Sequence, residues 1–130
     1  LILTTIPLKP LINMSSLSII LYSNQIEESI AFYKRLGFEV VNQIGTNEWV
    51  MLSFEQCTLM LSKPVQSIEF VKPTFTGTIY FNVRNCAQIW ERVSSWAIIE
   101  YPIQDFDYGM REFAIRDSNG YLLQFGEELG

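Results

Sequence analysis

No histidine occurs among the 130 residues, which removes the commonest general base and the commonest metal ligand together. Positive charge is also scarce: 9 Lys and Arg stand against 14 Asp and Glu, a formal net charge of −5. The basic residues are scattered singly or as Lys34-Arg35. The clustered basic stripe that a nucleic-acid surface needs to displace counterions is therefore missing. Cysteine is limited to Cys57 and Cys86, far apart and without a CxxC spacing. They read as two reduced thiols of a cytoplasmic protein, although sequence alone leaves a disulfide open. A catalytic cysteine would need a base that no imidazole supplies here. Long apolar runs are missing too. In the opening LILTTIPLKPLINMSS, Pro7 and Pro10 interrupt runs far short of the ~20 residues of a membrane span. No basic segment precedes them as in a secretory signal. Residues 1–16 read as an apolar arm, partly an extension if translation starts at Met14, that packs on its own domain or on a neighbouring subunit.

What is present is core material. Hydrophobic residues make up 48% of the chain and aromatics 14%, which excludes disorder and suits one domain built of two similar halves. In residues 17–63, Leu17–Ser23 reads as a buried strand. Glu27–Leu36 reads as a helix, with Ile26, Ile30, Tyr33 and Leu36 at helical spacing and Gly37 as its stop. Phe38–Ile44, Trp49–Phe54 and Cys57–Ser62 follow as strands, giving β-α-β-β-β. Residues 64–77 form a linker with two prolines near its ends. The order then repeats over residues 78–130. Thr78–Val83 reads as a strand, Ala87–Trp96 as a helix and Ala97–Tyr101 as a short strand. Met110–Arg116 and Tyr121–Gly126 form a hairpin across Ser118-Asn119-Gly120. Sliding one half onto the other places Ser18 on Thr78, Ile30 on Trp90, Tyr33 on Val93 and Phe38 on Ile98. The apolar pattern survives and the identities do not, as expected of a tandem repeat of one supersecondary unit.

Two segments carry a family resemblance. Ile26-Glu27-Glu28-Ser29-Ile30-Ala31-Phe32-Tyr33-Lys34-Arg35-Leu36-Gly37-Phe38 is similar to the first-helix signature of the vicinal oxygen chelate superfamily, which holds glyoxalase I, bleomycin resistance proteins and extradiol dioxygenases. Tyr108–Phe113 followed by Asp117-Ser118-Asn119-Gly120-Tyr121-Leu122-Leu123-Gln124-Phe125 resembles its closing hairpin, with Ser118 in place of the usual proline. The resemblance implies an α+β fold of two βαβββ modules whose sheets curl into a cup, commonly completed by a second subunit. It also implies metal ligands on the first and last strands of each module. Those positions fall on Ser18 and Thr78, and on Met60 and Gln124. Hydroxyls, a thioether and one amide do not replace the imidazole and carboxylate donors that a divalent ion wants. No metal or other cofactor, and no glyoxalase or dioxygenase chemistry, is expected.

Alternation along the strands says what lines the cup instead. With Ser18 inward, Ile20 and Tyr22 follow, and Ile19 and Leu21 pack under the helix. Likewise Thr78, Tyr80 and Asn82 face in, as do Leu122 and Gln124. Trp49, ahead of Met51, and Tyr108, at the closing hairpin, match family aromatics. Arg111 and Glu112 are adjacent on one strand, so only one of them faces the cup. Arg111 would anchor an anionic ligand, and Glu112 would serve as a base but has no evident partner. Trp90 and Trp96 share a helical face and read as packing residues.

The candidate ligand-binding set is Ser18, Tyr22, Trp49, Met51, Met60, Thr78, Tyr80, Tyr108, Arg111 and Gln124, with no catalytic residue assigned. This lining suits a flat aromatic or amphipathic small molecule. The expected function is metal-independent binding of a drug or metabolite by a homodimer, with no nucleic-acid or membrane partner. The alternatives are a metal-independent lyase or isomerase acting through Glu112, Tyr22 or Tyr108, and a non-catalytic dimer whose cup is filled by side chains.

Overall fold

The computed structural model describes residues 16–65 and 69–130. Most of the expected apolar arm, residues 1–15, and the middle of the expected linker lie outside the described residues. The first module runs β1 (Ile20–Tyr22), α1 (Ile26–Leu36), β2 (Glu39–Ile44), β3 (Trp49–Phe54) and β4 (Cys57–Ser62). The second runs β5 (Ile79–Asn82), α2 (Cys86–Val93), β6 (Ile98–Asp105), β7 (Met110–Arg116) and β8 (Leu122–Glu128). Each module folds as a four-stranded sheet in the same order, β1-β4-β3-β2 and β5-β8-β7-β6, with the first strand parallel to the last and the rest antiparallel. The α+β architecture of two βαβββ modules is as the sequence implies.

Local chemistry accounts for the helices. In α1, Glu27 and Glu28 occupy the first turn and Lys34 and Arg35 the last, complementing the helix dipole at both ends. Gly37 ends it at φ +127°, with its N–H on the carbonyls of Tyr33 and Lys34. A side chain there would collide with Arg92 and Phe54, so glycine is needed for space as well as for conformation. The buried stripe is Ile26, Ser29, Tyr33 and Leu36, with Ile30 only at its margin. In α2, Asn85 caps the N-terminus by accepting from the Gln88 N–H at 3.2 Å.

Three elements differ from the expected bounds by three residues or more, for identifiable reasons. The second helix ends at Val93, short of Trp96. The Trp96 indole then folds back and donates to the Arg92 carbonyl at 2.6 Å, while Arg35 lies 4.5 Å over its ring. Strand β6 runs on past Pro102 to Asp105. It is the edge strand and its register is irregular around Tyr101, so a residue without an N–H costs no ladder bond. Strand β1 starts at Ile20 and not at Leu17, which is 84% exposed. Leu21 is buried as expected, but Ile19 is 37% exposed rather than packed under the helix.

Both sheets turn one face to the helices, and those faces share one core. In the second module Phe81, Phe125 and Phe113 stack in series at 5.0 and 4.9 Å, and Trp90 packs on Phe113 at 5.2 Å. Phe38 reaches across from the first module to Phe81 at 6.0 Å. The most extensive polar link between modules is the β7–β8 turn, beside the bond from Arg92 of α2 to the Leu36 carbonyl of α1 at 3.1 Å. Asp117, 2% exposed, accepts from the backbone N–H groups of Asn119, Gly120 and Tyr121 through Oδ1, each at 2.9 Å. Its Oδ2 accepts the Tyr33 hydroxyl of α1 at 2.6 Å. Asn119 adds bonds to Ser23 and Ser29, and the Tyr121 hydroxyl donates to the Tyr22 carbonyl.

Burial pushes the Tyr33 hydroxyl well above its ordinary pKa of 10.0, and the charge of Asp117 adds to the shift. A raised native pKa contributes stability that is complete below the unfolded value and is lost as pH climbs through it. Tyr33→Phe should lower unfolding free energy by about 2 kcal/mol at neutral pH, because one buried carboxylate oxygen loses its donor. It should also flatten the loss of stability above the ordinary tyrosine range, with urea unfolding across pH as the measurement.

Candidate functional site

The faces turned away from the helices are built by the strand registers. On the first sheet Asn42, Met51, Met60 and Ile20 form one row, and Ile44, Trp49, Ser62 and Tyr22 form the next. The Trp49 indole N–H donates to Met60 Sδ at 3.3 Å, while Ile20 and Ile44 stand 52% and 64% exposed. This face is apolar and open.

The same registers on the second sheet give Tyr101, Ala114, Gln124 and Tyr80 in one row, then Glu112, Gly126 and Asn82 in the other. Trp49 and Glu112 thus occupy equivalent points in the two modules. Phe113 and Ile115 point to the core, so Glu112 points to the outer face, where it is only 3% exposed. Tyr80 donates to Glu112 Oε2 and Tyr108 to Oε1, each at 2.5 Å, so both carboxylate oxygens are held by phenols. Beside them Gln124 Nε2 donates to the Tyr101 hydroxyl at 2.7 Å. Phe106 packs edge-on to Tyr101 at 6.0 Å and stacks with Tyr108 at 5.2 Å.

Glycine at position 126 makes this arrangement possible. A Cβ there would lie 1.7 Å from the Tyr80 hydroxyl, in the lane through which the phenol crosses β8 to reach Glu112. Electrostatics follow from the geometry. Desolvation, then the bond to Glu112, pushes Tyr80 far above the ordinary phenol range. The bond to Glu112 leads in raising Tyr108 to about 12, with desolvation next. Tyr101 is raised by desolvation first and by the Glu112 charge second, against a lowering by Gln124. All three phenols are therefore neutral at ordinary pH, with Tyr80 and Tyr108 donating to Glu112 and Tyr101 accepting from Gln124.

The structure brings Tyr80, Tyr108 and Gln124 onto one patch, and Trp49, Met51 and Met60 onto the other face. Of the rest of the sequence-derived set, Tyr22 shares the row of Trp49, and Ser18, Thr78 and Arg111 are brought to neither place. Tyr22 and Thr78 line a groove of about 510 Å³ between the modules, with Ile20, Phe70, Phe75 and Tyr121 among its walls. The Thr78 hydroxyl is engaged there by the Leu122 carbonyl. Ser18 is exposed ahead of β1. Arg111 lies on the side of β7 opposite Glu112, its guanidinium locked to Asp105 at 2.7 and 3.1 Å. The partner that sequence did not give Glu112 is the tyrosine pair. Tyr101 and Phe106 went unassigned: Tyr101 was the last residue of the expected short strand and Phe106 lay beyond it, although Phe113 and Ile115 as core residues already imply that Glu112 faces outward.

The metal-ligand positions implied by the resemblance carry thioether, hydroxyl and amide groups, three of them already bonded within the chain. Among the described residues no three His, Cys, Asp or Glu side chains gather as a metal-binding group. Cys57 and Cys86 are both free thiols. No helix of the described residues is long and apolar enough to cross a membrane.

One substitution tests the crossing lane. Gly126→Ala should cost about 2 kcal/mol or more by overpacking, and a second substitution, Tyr80→Ala, should recover most of that loss in a thermal-unfolding double-mutant cycle.

Solved structures share this architecture. TioX from Micromonospora sp. ML1 is 20% identical, with a TM-score of 0.72 over 89% of this chain and 100% of its own. A bleomycin-binding protein solved with bleomycin is 20% identical, with a TM-score of 0.67 over 88% of this chain and 99% of its own. Lactoylglutathione lyase from Agrobacterium tumefaciens is 19% identical, with a TM-score of 0.66 over 88% of this chain and 94% of its own. At such identities the likeness shows the fold. No curated protein matches the sequence at a significant level. The superfamily's sequence profile matches residues 16–125, nearly the whole repeat, and the chain belongs to the Glyoxalase/Bleomycin resistance protein/Dioxygenase superfamily.

Proposed function

We propose that this protein binds a small aromatic or amphipathic molecule on its outer sheet faces, without a metal and without transforming it. The observation that carries this reading is the contiguous patch of Tyr80, Tyr101, Phe106 and Tyr108 around Glu112 and Gln124. It supplies several ring faces and a few fixed polar groups, the composition of a ligand site. The apolar face of Trp49, Met51 and Met60 adds a second stacking surface. Metal independence is supported by donor chemistry, since a thioether, a threonine hydroxyl and an amide make a poor set for a divalent ion. The superfamily includes a protein that holds bleomycin and a lyase, so fold alone does not choose between binding and catalysis.

A lyase or isomerase reading would use Glu112 as base. Each of its oxygens already accepts a phenol hydroxyl, with which a substrate proton would have to compete, and this favours binding. The open apolar residues Ile20 and Ile44 support a homodimer that covers them. Two free thiols fit a reducing cytoplasmic setting.

The test is a fluorescence and calorimetric titration against aromatic and amphipathic compounds. Ligands should quench tryptophan emission in the wild type and not in Trp49→Phe, since Trp90 and Trp96 pack on the helix side. Binding should survive exhaustive chelation, and the sedimenting mass should be near twice 15.1 kDa. Turnover of a bound compound, or loss of binding on chelation, would overturn the reading.

A further inference from the structure

We infer that Glu112 and the rings around it form a receptor for an organic ammonium group carried by the ligand. The inference rests on the binding reading above and names the chemistry of what is bound. A carboxylate with 3% exposure has lost most of its water, at a cost of several kcal/mol unless a counter-charge or strong donors replace it. Glu112 has donors but no counter-charge. The ion pairs among the described residues are Lys63–Glu48, Arg111–Asp105 and Arg116–Glu100. The basic residue beside it, Arg111, is turned to the other side of the sheet and held there by Asp105. Arg116, further along the strand, is held by Glu100 and the Gly120 carbonyl. The neutral phenols orient the carboxylate without supplying a counter-charge.

A carboxylate offers about four acceptor sites, and Tyr80 and Tyr108 fill one on each oxygen, so each oxygen keeps acceptor capacity. Tyr108 is 65% exposed at the tip of the β6–β7 turn, so its ring can turn aside at little cost and open Oε1. The ring faces of Phe106, Tyr101 and Tyr108 then flank the approach. Aromatic faces carry negative potential, and a carboxylate beneath them adds to the same attraction, so the patch selects an alkylated ammonium over a neutral or anionic group of equal shape. The net charge of −5 works in the same direction at long range.

The experiment compares benzyltrimethylammonium with neopentylbenzene, its uncharged carbon isostere, and with benzoate, by calorimetry and fluorescence on the intact protein. The cation should bind the wild type about ten-fold more tightly than the isostere, and benzoate more weakly still. In Glu112→Gln that preference should fall to near parity while the isostere is bound as before, which also shows that the variant is folded. Tyr108→Phe, which keeps the carboxylate, should retain the preference. Equal affinity for cation and isostere in the wild type, or a preference that survives Glu112→Gln, overturns the inference and leaves the binding reading standing. If neither these probes nor any aromatic compound binds, both fall together.

Discussion

The Asp117 carboxylate is the joint on which the rest of the structure depends. One oxygen closes the β7–β8 turn by taking three backbone N–H groups, and the other takes the hydroxyl of Tyr33 from the other module's helix. A single buried side chain thereby fixes a hairpin and its position against α1. Desolvation raises the Asp117 pKa, and the hydrogen bonds, with Tyr33 first among them, pull it back down. The balance holds only while every donor is in place, which makes the joint strict in geometry. Because β8 begins at the end of that turn, the same joint sets where Gln124 and Gly126 stand on the outer face.

From that fixed strand the outer patch follows by sterics. Gly126 leaves the gap, Tyr80 crosses it, and the phenol meets Glu112 on the next strand. The patch lies on rigid sheet at its centre and on a turn at its rim, where Tyr108 and Phe106 sit. Such a division suits recognition: the anion is held in place by packing, and the exposed ring adapts.

Much of this was legible in the sequence, and the gaps have physical causes. Helical spacing in α1, the Asn-Gly turn and the repeated apolar pattern gave two βαβββ modules, because periodicity reports which face is buried. The site was less legible. Alternation put Tyr80 and Gln124 toward the cup, the face turned away from the helices, and equally permitted Arg111 or Glu112 there. Only the burial of Phe113 and Ile115 decides between them. Tyr22 keeps its place in the row of Trp49, yet it and Thr78 also wall the groove between modules, because orientation between two sheets is not written in the period of either. Tyr101 was missed because the expected strand stopped at it, whereas β6 runs on through Pro102 as an edge strand with irregular register.

The repeat also explains how one scaffold comes to carry two chemistries. Duplication gives two equivalent points, one in each module, and on this chain they carry Trp49 and Glu112. The indole donates to a thioether and the carboxylate accepts from phenols, so one face has become apolar and the other anionic. Divergence at these equivalent positions therefore puts different chemistry on two copies of one backbone geometry. The absence of histidine is then one part of a wider asymmetry, in which each sheet has kept the repeat's geometry and taken on its own chemistry.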